Sequence, residues 1–262
     1  MFALGGEGVL RTTGREREAV EVIQRALDEG VNYCDTAPAY ADSLSYYGAA
    51  LADRRKQVFL ASKTHDRTRD GSLRLLDESL KRLRTDHLDL WQLHDLRTMD
   101  DLNRIFSPTG AIEALKEARA AGRVRFLGLT GHHDPAILLE AMRRFSFDNL
   151  LVACNAADVH RLSFIQTVLP EAVRQGLGVV AMKIFSQGML LRPGGLTADV
   201  AYRYALNVPG VCTSVIGCHT PDQVSYNAQM ARTWKPMELA EMHDIESQTR
   251  DMHNAYCYYK KT

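Results

Sequence analysis

The feature that most constrains the fold is a regular alternation of short apolar segments with amphipathic helical segments along the chain. In the helical segments apolar residues recur at intervals of three and four, as they do for Leu73, Leu76, Leu80 and Leu83. Strands that alternate with helices predict an α/β fold built on a parallel sheet. Counting gives eight strand–helix units, the number that closes a (β/α)8 TIM barrel.

The eight predicted strands are short and mostly apolar. They cover residues 2–4, 31–34, 58–62, 88–93, 124–129, 150–154, 178–182 and 213–216. Beyond the eighth unit, residues 236 to about 253 predict one extra amphipathic helix at the C-terminal end. Because no stretch is typical of a linker, we expect a single domain over residues 1–262.

Composition and charge argue against several classes of protein. Of the 262 residues, 45% are hydrophobic and 24% are charged, which is ordinary for a globular protein. Lys plus Arg and Asp plus Glu number 32 each, so the formal net charge is zero. We therefore expect neither a nucleic acid nor an anionic membrane as partner, and the sequence leaves the oligomeric state open.

Cysteine usage and apolar segments bear on the compartment. The five cysteines lie far apart without a CxxC pair, which favours a reducing compartment over a disulfide framework or a zinc site. No apolar segment reaches membrane-spanning length, and Gly5, Gly6 and Glu7 interrupt the start, which argues against a signal peptide. We expect a cytoplasmic protein.

Four polar side chains follow three successive predicted strands. Asp35 follows the second strand and Tyr40 comes one short loop later, while Lys63 and His94 follow the third and fourth strands. In a parallel barrel the carboxyl ends of the strands share one face, and catalysis takes place there. The sequence therefore predicts that an acid, a phenol, an amine and an imidazole meet at one site.

These residues stand in motifs that resemble the aldo-keto reductases. The motifs are Asp-Thr-Ala-x-x-Tyr from Asp35, Ser-Lys-Thr around Lys63, and Asp-Leu-x-x-x-His ending at His94, and the likeness extends from about residue 4 to about residue 230. The resemblance implies reduction of an aldehyde or ketone by hydride from a nicotinamide, usually NADPH. It also implies a hairpin that covers the amino-terminal end of the barrel. Only Met1 precedes the first strand here, so we expect no such hairpin, and either a differently covered end or a shortened chain predicts a less stable barrel.

Elementary chemistry assigns a role to each of the four. A carbonyl accepts hydride poorly unless its oxygen is protonated or hydrogen-bonded as charge develops, and Tyr40 can supply that proton. We expect a protonated Lys63 to lower the pKa of Tyr40, and Asp35 to hold Lys63 in place. His94 would donate to the substrate oxygen. Any one of these residues alone is equally compatible with a structural ion pair or with packing.

The resemblance also suggests where the cofactor binds, with several departures. Thr130-Gly131 stands where Ser-Asn usually holds the carboxamide, and Asn155 is a possible substitute for a glutamine that Leu151 replaces. Met182 stands where an aromatic ring usually stacks on the nicotinamide. The candidate cofactor residues are Gly6, Thr130, Gly131, Asn155, Met182, Lys183, Phe185, Gln187, Gly188, Gly217, Cys218, His219, Thr220, Gln223 and Asn227.

Two segments of this set would bind the charged parts of the nucleotide. Residues 183–188 resemble the loop under the pyrophosphate, and Lys183 adds positive charge there. Residues 217–227 resemble the adenine-end motif at a helix N-terminus, but the basic residues that usually grip the ribose phosphate are missing. His219 is the nearest replacement. We expect NADP(H), with NAD(H) as the alternative.

Two other functions are compatible with the same barrel. A metal-dependent hydrolase could use Asp35, His94, Asp95, His132 and His133, although no two histidines form a zinc-ligand motif and Lys63 would stand among the ligands. We expect no metal. A non-catalytic, nicotinamide-binding regulatory barrel is the other alternative. The sequence does not identify the substrate; residues 97–109 form either part of the pocket, with Arg97, Phe106 and Pro108 over it, or a solvated loop.

Overall fold

A computed structural model describes residues 1–260 of the protein and shows a closed barrel of eight parallel strands, β1 to β8 in chain order. Each strand pairs with the next one, and β8 closes the barrel on β1, with Phe2 opposite Ser214. The predicted TIM barrel is confirmed. The strands are β1 Phe2–Gly8, β2 Tyr33–Asp35, β3 Phe59–Thr64, β4 Leu88–Leu93, β5 Val124–Gly131, β6 Asn149–Ala153, β7 Gly178–Met182 and β8 Val211–Cys218.

Helices surround the barrel. They are α1 Glu16–Asp28, α2 Ser43–Leu51, α3 Arg69–Leu83, α4 Met99–Ile105, α5 Ala111–Ala120, α6 Pro135–Arg144, α7 Phe164–Arg174, α8 Ala198–Asn207, α9 Pro221–Thr233, α10 Leu239–Thr249 and α11 His253–Tyr256. Side-chain oxygens that precede several of them accept a hydrogen bond from a first-turn N–H, as Thr68 does before α3 and Asp134 before α6. Such caps satisfy backbone donors that lack a partner inside the helix.

Apolar helix faces pack on the barrel and form one continuous core. On α3 the predicted apolar positions Leu76, Leu80 and Leu83 are buried, and Leu73 is partly buried against the same core. Each leucine that is fully buried stabilises the fold by about 1.5–3 kcal/mol relative to an exposed one. This packing fixes the strands, and through them the side chains at the strand ends.

The C-terminal region differs from the prediction of a single helix. Two helices, α10 and the short α11, replace it, and the chain turns between them at residues 250–252. Beyond α11 the chain runs back over the face that carries the strand ends. None of the helices that the structure describes is both long enough and apolar enough to span a membrane.

Candidate active site

A buried ion pair joins the ends of β2 and β3. The Lys63 Nζ donates to Asp35 Oδ2 at 2.6 Å and to the carbonyl oxygen of Thr36 at 2.9 Å. The two charged side chains are 1% and 4% exposed, respectively. Strand register brings them together because Asp35 pairs with Ala61, and Lys63 lies two residues further along the same face of β3. Since a buried charge is costly when it is unpaired, the two residues depend on each other.

Tyr40 and His94 lie beside this ion pair. The Tyr40 hydroxyl is 3.5 Å from His94 Nε2, and their rings meet edge to face with centres 5.6 Å apart. The Lys63 ammonium is 4.9 Å from the centre of the Tyr40 ring. The structure thus brings together all four residues that the sequence analysis selected.

Gly6 contributes to this site by leaving space. A Cβ atom at Gly6 would lie 2.7 Å from Cδ2 of Tyr40 and 3.0 Å from the backbone oxygen of Asp35. Either distance is too short for an ordinary contact. The structure therefore explains this glycine by the position of the Tyr40 ring, whereas the sequence analysis assigned it to the cofactor.

The pKa of Tyr40 is raised well above its usual value, chiefly because its hydroxyl is buried and secondly because Asp35 and Glu7 add negative charge nearby. The expectation that Lys63 lowers this pKa was wrong. The positive charge of Lys63 is compensated by Asp35 at 2.6 Å, so little of it acts on the phenol. A raised pKa keeps Tyr40 protonated, which is the form that a proton donor needs.

Burial also shifts the pKa values of the other three residues. It lowers the pKa of Lys63 and raises that of Asp35, and their mutual attraction opposes both shifts. The pKa of His94 is well below its usual value because of burial and the charge of Lys63. His94 is therefore neutral near pH 7 and can donate one ring N–H.

Packing at the end of β5 explains why Thr130-Gly131 stands in place of the usual Ser-Asn pair. Thr130 and Gly131 are both buried there. A Cβ atom at Gly131 would lie 2.9 Å from Cδ2 of Leu138 and 3.1 Å from the carbonyl oxygen of Leu96. A side chain at this position therefore requires the Leu138 side chain to shift and the Leu96 carbonyl, in the loop after β4, to give way slightly.

Asn155, after β6, is engaged within the protein. Its side-chain Nδ2 donates to the carbonyl oxygen of Lys183 at 3.1 Å and to the hydroxyl of Tyr259 at 2.9 Å, and its Oδ1 accepts from the backbone N of Ala157. Both amide N–H groups thus have protein acceptors. Asn155 connects the loops after β6 and β7 to the C-terminal residues.

The loop after β7 has an unusual backbone. Met182 is the last residue of β7, and after it Lys183, Ser186, Gln187 and Gly188 have φ values of 56°, 49°, 54° and 83°. Non-glycine residues rarely adopt this left-handed conformation, and it is concentrated at ligand sites. Within this turn the backbone N–H groups of Ser186 and Gly188 donate to the carbonyl oxygens of Lys183 and Phe185, at 2.8 and 2.9 Å, so the Lys183 side chain is the group of the loop that attracts an anion. Phe185, in the same loop, packs partly buried against the core.

Residues after β8 contact one another. Thr220 caps α9 by accepting from the backbone N of Gln223 at 3.4 Å, and the Gln223 side chain accepts from the backbone N of His219 at 2.8 Å. Asp222, in the first turn of α9, adds negative charge. These contacts leave a weaker anion site than a bare helix N-terminus would offer.

Packing explains two positions of the same motif, Gly217 and Cys218. A Cβ atom at Gly217 would lie 2.6 Å from Cβ of Glu7, so β1 and β8 approach closely there. Cys218 is buried, and its Sγ accepts a hydrogen bond from Asn227 Nδ2 at 3.3 Å.

Three residues of the alternative metal site form a cluster. One possible ligand atom from each of Asp95, His132 and His133 lies within 4.8 Å of the others. Burial and the charge of Lys183 lower the pKa of His132 to about 3, so it is neutral. The carboxylate of Asp95 is also held by Arg97, at 2.5 Å and 2.8 Å. Asp35 and His94 lie outside this cluster.

Sequence reasoning missed two arginines beside the site. Arg67 donates to the backbone oxygens of His94 at 2.8 Å and Asp95 at 3.0 Å, which fixes the turn after β4. The Arg11 guanidinium lies 5.2 Å from the centre of the Tyr40 ring. Long side chains reach these positions from neighbouring loops, and no sequence motif marks them.

The segment 97–109 is partly helical and only partly near the site. It contains α4, and Arg97 is tied to Asp95. Phe106 packs instead under the guanidinium of Arg144 on α6, 5.7 Å from its ring centre. Two surface cavities, of about 440 and 370 Å³, are lined by residues of other regions and contain none of the predicted site residues.

Comparison with known proteins decides the family. A family model described as "Aldo/keto reductase family" matches residues 2–195. The chain belongs to the aldo/keto reductase family. An uncharacterized oxidoreductase of Bacillus subtilis is 26% identical over 199 residues, which are 71% of this chain and 61% of that protein. L-galactose dehydrogenase of Arabidopsis thaliana is 29% identical over 192 residues, which are 68% of this chain and 59% of that protein. The match thus spans about three-fifths of these curated relatives.

Solved structures show the same fold. An aldo-keto reductase of Bacillus halodurans in its holo form has a TM-score of 0.79 at 24% identity, with 94% of this chain and 91% of that chain covered. An aldo-keto reductase of Klebsiella pneumoniae in complex with NADPH has a TM-score of 0.78 at 21% identity, with 95% and 90% covered. At these sequence identities the similarity establishes a shared barrel fold.

Proposed function

We propose that the protein reduces an aldehyde or ketone to an alcohol with hydride from NADPH, and that Tyr40 is the general acid. The observation that carries the proposal is the buried contact of Lys63 with Asp35 beside the Tyr40–His94 pair. Family membership and the oxidoreductase names of the relatives agree with it. The substrate is a small carbonyl compound, and we place the reaction in the cytoplasm because none of the five cysteines is paired.

Each of the four residues has a distinct task in this proposal. Tyr40, kept protonated by burial, donates its proton as the carbonyl oxygen gains charge. Neutral His94 donates a ring N–H to the same oxygen and orients the carbonyl. Lys63 and Asp35 form a buried neutral pair, and the bond from Lys63 to the Thr36 carbonyl fixes the start of the loop that carries Tyr40.

The residues after β7 and β8 fit a dinucleotide. When it is bound, the nicotinamide supplies the hydride that no side chain can supply. Lys183, at the start of the left-handed turn after β7, offers positive charge for the pyrophosphate. Structures of related proteins with NADPH and with NADP support this choice. The weak anion site at α9 makes NADH the alternative cofactor.

The test is turnover of a panel of aldehydes and ketones by the purified protein with NADPH and with NADH. We expect nucleotide oxidation that matches alcohol formation mole for mole, with NADPH as the better cofactor. Binding of nucleotide without turnover of any carbonyl compound would favour the non-catalytic regulatory barrel instead.

A second candidate function is metal-dependent hydrolysis, since Asp95, His132 and His133 are clustered. The charges around the cluster oppose it, because Arg97 occupies one oxygen of Asp95 and Lys183 lies near His132. Metal analysis of the purified protein separates the two functions.

A further inference from the structure

The last residues that the structure describes lie across the carboxyl-end face of the barrel. We call residues 256–260 the C-terminal strap. The family match ends at residue 195, so the strap lies outside it. It nevertheless contacts the loops after β5, β6 and β7, the three loops where the nicotinamide and pyrophosphate are expected.

Tyr259 is the centre of these contacts. It is only 3% exposed, and its hydroxyl accepts a hydrogen bond from Asn155 Nδ2 at 2.9 Å. Its ring meets the ring of His132 edge to face, with centres 5.7 Å apart. One side chain thus links the loops that follow β5 and β6.

The strap also surrounds the ammonium group of Lys183. The Lys183 Nζ lies 5.3 Å from the ring centre of Tyr259 and 5.7 Å from that of Tyr258. These two rings support each other edge to face at 5.3 Å. An ammonium group at this distance from aromatic faces is stabilised without the loss of its charge. A carboxylate partner would instead cancel the charge that an anion needs.

A buried ion pair anchors the strap. The Lys260 Nζ lies 2.5 Å from Asp158 Oδ1 and donates to the carbonyl oxygens of Asp158 at 2.9 Å and Arg161 at 2.7 Å. Both charged side chains are 0% exposed. At the other end, Ser186 Oγ donates to the backbone oxygen of Tyr256. The strap is therefore held at both ends, and its rings have fixed positions.

We propose that the strap is part of the cofactor site, and that Tyr258 and Tyr259 position the Lys183 ammonium to bind the pyrophosphate of the dinucleotide. The two tyrosines act through Lys183 and are positioning residues. This inference rests on the proposed function, since it presumes a nicotinamide dinucleotide. It assigns a role in cofactor binding to residues that lie outside the family match.

The experiment measures the dissociation constants of NADPH and NADH by calorimetry, without a carbonyl substrate. We expect Tyr259→Leu to weaken both nucleotides by about tenfold and to the same degree, because both contain the pyrophosphate. Tyr259→Phe keeps the ring and loses the hydroxyl bonds with Asn155 and Cys257, so its effect is smaller. Tyr33→Leu, at the amino-terminal end of β2, is the control and leaves both constants unchanged.

A double-mutant cycle separates positioning from a general structural role. If Tyr259 acts through Lys183, Tyr259→Leu adds little further loss in a Lys183→Met background. Equal losses in both backgrounds would overturn the proposal, as would unchanged affinity of Tyr259→Leu. Tighter binding by this variant would also overturn it, because the strap would then block the site. A wild-type protein that binds neither nucleotide refutes the proposed function itself, and this inference with it.

Discussion

The two halves of the barrel face differ in how their polar residues are satisfied. At the ends of β2, β3 and β4, Asp35 and Lys63 form a buried ion pair, and Tyr40 and His94 lie beside it. At the ends of β5 to β8, hydrogen bonds run between loops and to the C-terminal strap, as they do from Asn155 to Tyr259. The first half is thus held by an ion pair between neighbouring strand ends, and the second half by contacts between segments that lie far apart in the sequence.

The largest expected effect comes from breaking the ion pair of the first half. Lys63→Met leaves Asp35 as an unpaired buried carboxylate, so we expect a loss of about 3–5 kcal/mol in the free energy of unfolding, together with the activity. Urea titration measures the loss. The control is Arg143→Met, which removes one of the two arginine partners of Glu140 and should change the free energy of unfolding very little. Equal stabilities of the two variants would contradict the account of the pair.

A double variant refines this prediction. Asp35→Leu combined with Lys63→Met removes both buried charges, so most of the stability should return while turnover stays lost. If turnover returned with stability, the pair would have no role in the chemistry.

Acidification should act on one histidine in each half. Burial depresses the pKa of His94, and that of His132 falls to about 3, so both are neutral in the folded protein. The unfolded chain binds protons at these histidines below about pH 6.5, so stability present above that pH is lost as the pH falls toward the folded pKa values. At pH 5 we expect His132 to lower the free energy of unfolding by about 2 kcal/mol and His94 to lower it as well.

The measurement is the free energy of unfolding between pH 7 and pH 5 in wild type, His94→Gln and His132→Gln. Each variant should show a shallower pH dependence than wild type. Only His94→Gln should lose turnover at pH 7, since His94 belongs to the first half. Unchanged pH dependence in both variants would show that other groups cause the acid sensitivity.

A smaller effect concerns the cofactor preference in the second half. We expect a preference for NADPH over NADH below about a hundredfold, because no arginine or lysine accompanies His219 at the ribose-phosphate position. His219→Ala should reduce the preference, and Asp222→Asn should increase it by about threefold, since a carboxylate in the first turn repels the phosphate. Calorimetric titration of both nucleotides into wild type and the two variants measures this preference. Equal affinities for NADPH and NADH in wild type would refute a phosphate site at α9.

The smallest expected effect is that of metal removal. Treatment with EDTA should leave turnover unchanged, because the proposed reaction uses side chains and a nicotinamide and no step of it needs a metal ion. A tightly bound zinc ion in one-to-one ratio, with activity that is lost on its removal and restored on its return, would favour the hydrolase at Asp95, His132 and His133.

The sequence was sufficient to predict the first half of the face and the barrel itself. Apolar segments that end in Asp35, Lys63 and His94 carry both the strand pattern and the polar residue, so local sequence places the side chain. The direction of the Tyr40 pKa could not be predicted this way. It depends on how completely Asp35 neutralises Lys63 and how deeply the hydroxyl is buried, and both are properties of the packed structure.

The second half was less accessible to sequence reasoning for a different reason. Tyr258, Tyr259 and Lys260 form no periodic pattern, and their partners Asn155, Asp158 and Lys183 lie far away along the chain. The extra helix was predicted as one segment because its apolar positions continue past the turn at residues 250–252. Contacts between such distant segments require the fold.

The central claim, that Tyr40 is the proton donor of a carbonyl reduction, is tested most directly by Tyr40→Phe. The measurement is single-turnover reduction of an accepted aldehyde, together with the dissociation constant of NADPH in the same variant. We expect the chemical step to slow by at least about a hundredfold, the range of a lost general acid, while the dissociation constant changes by less than about twofold. A variant that keeps more than about a tenth of the wild-type rate would contradict the assignment.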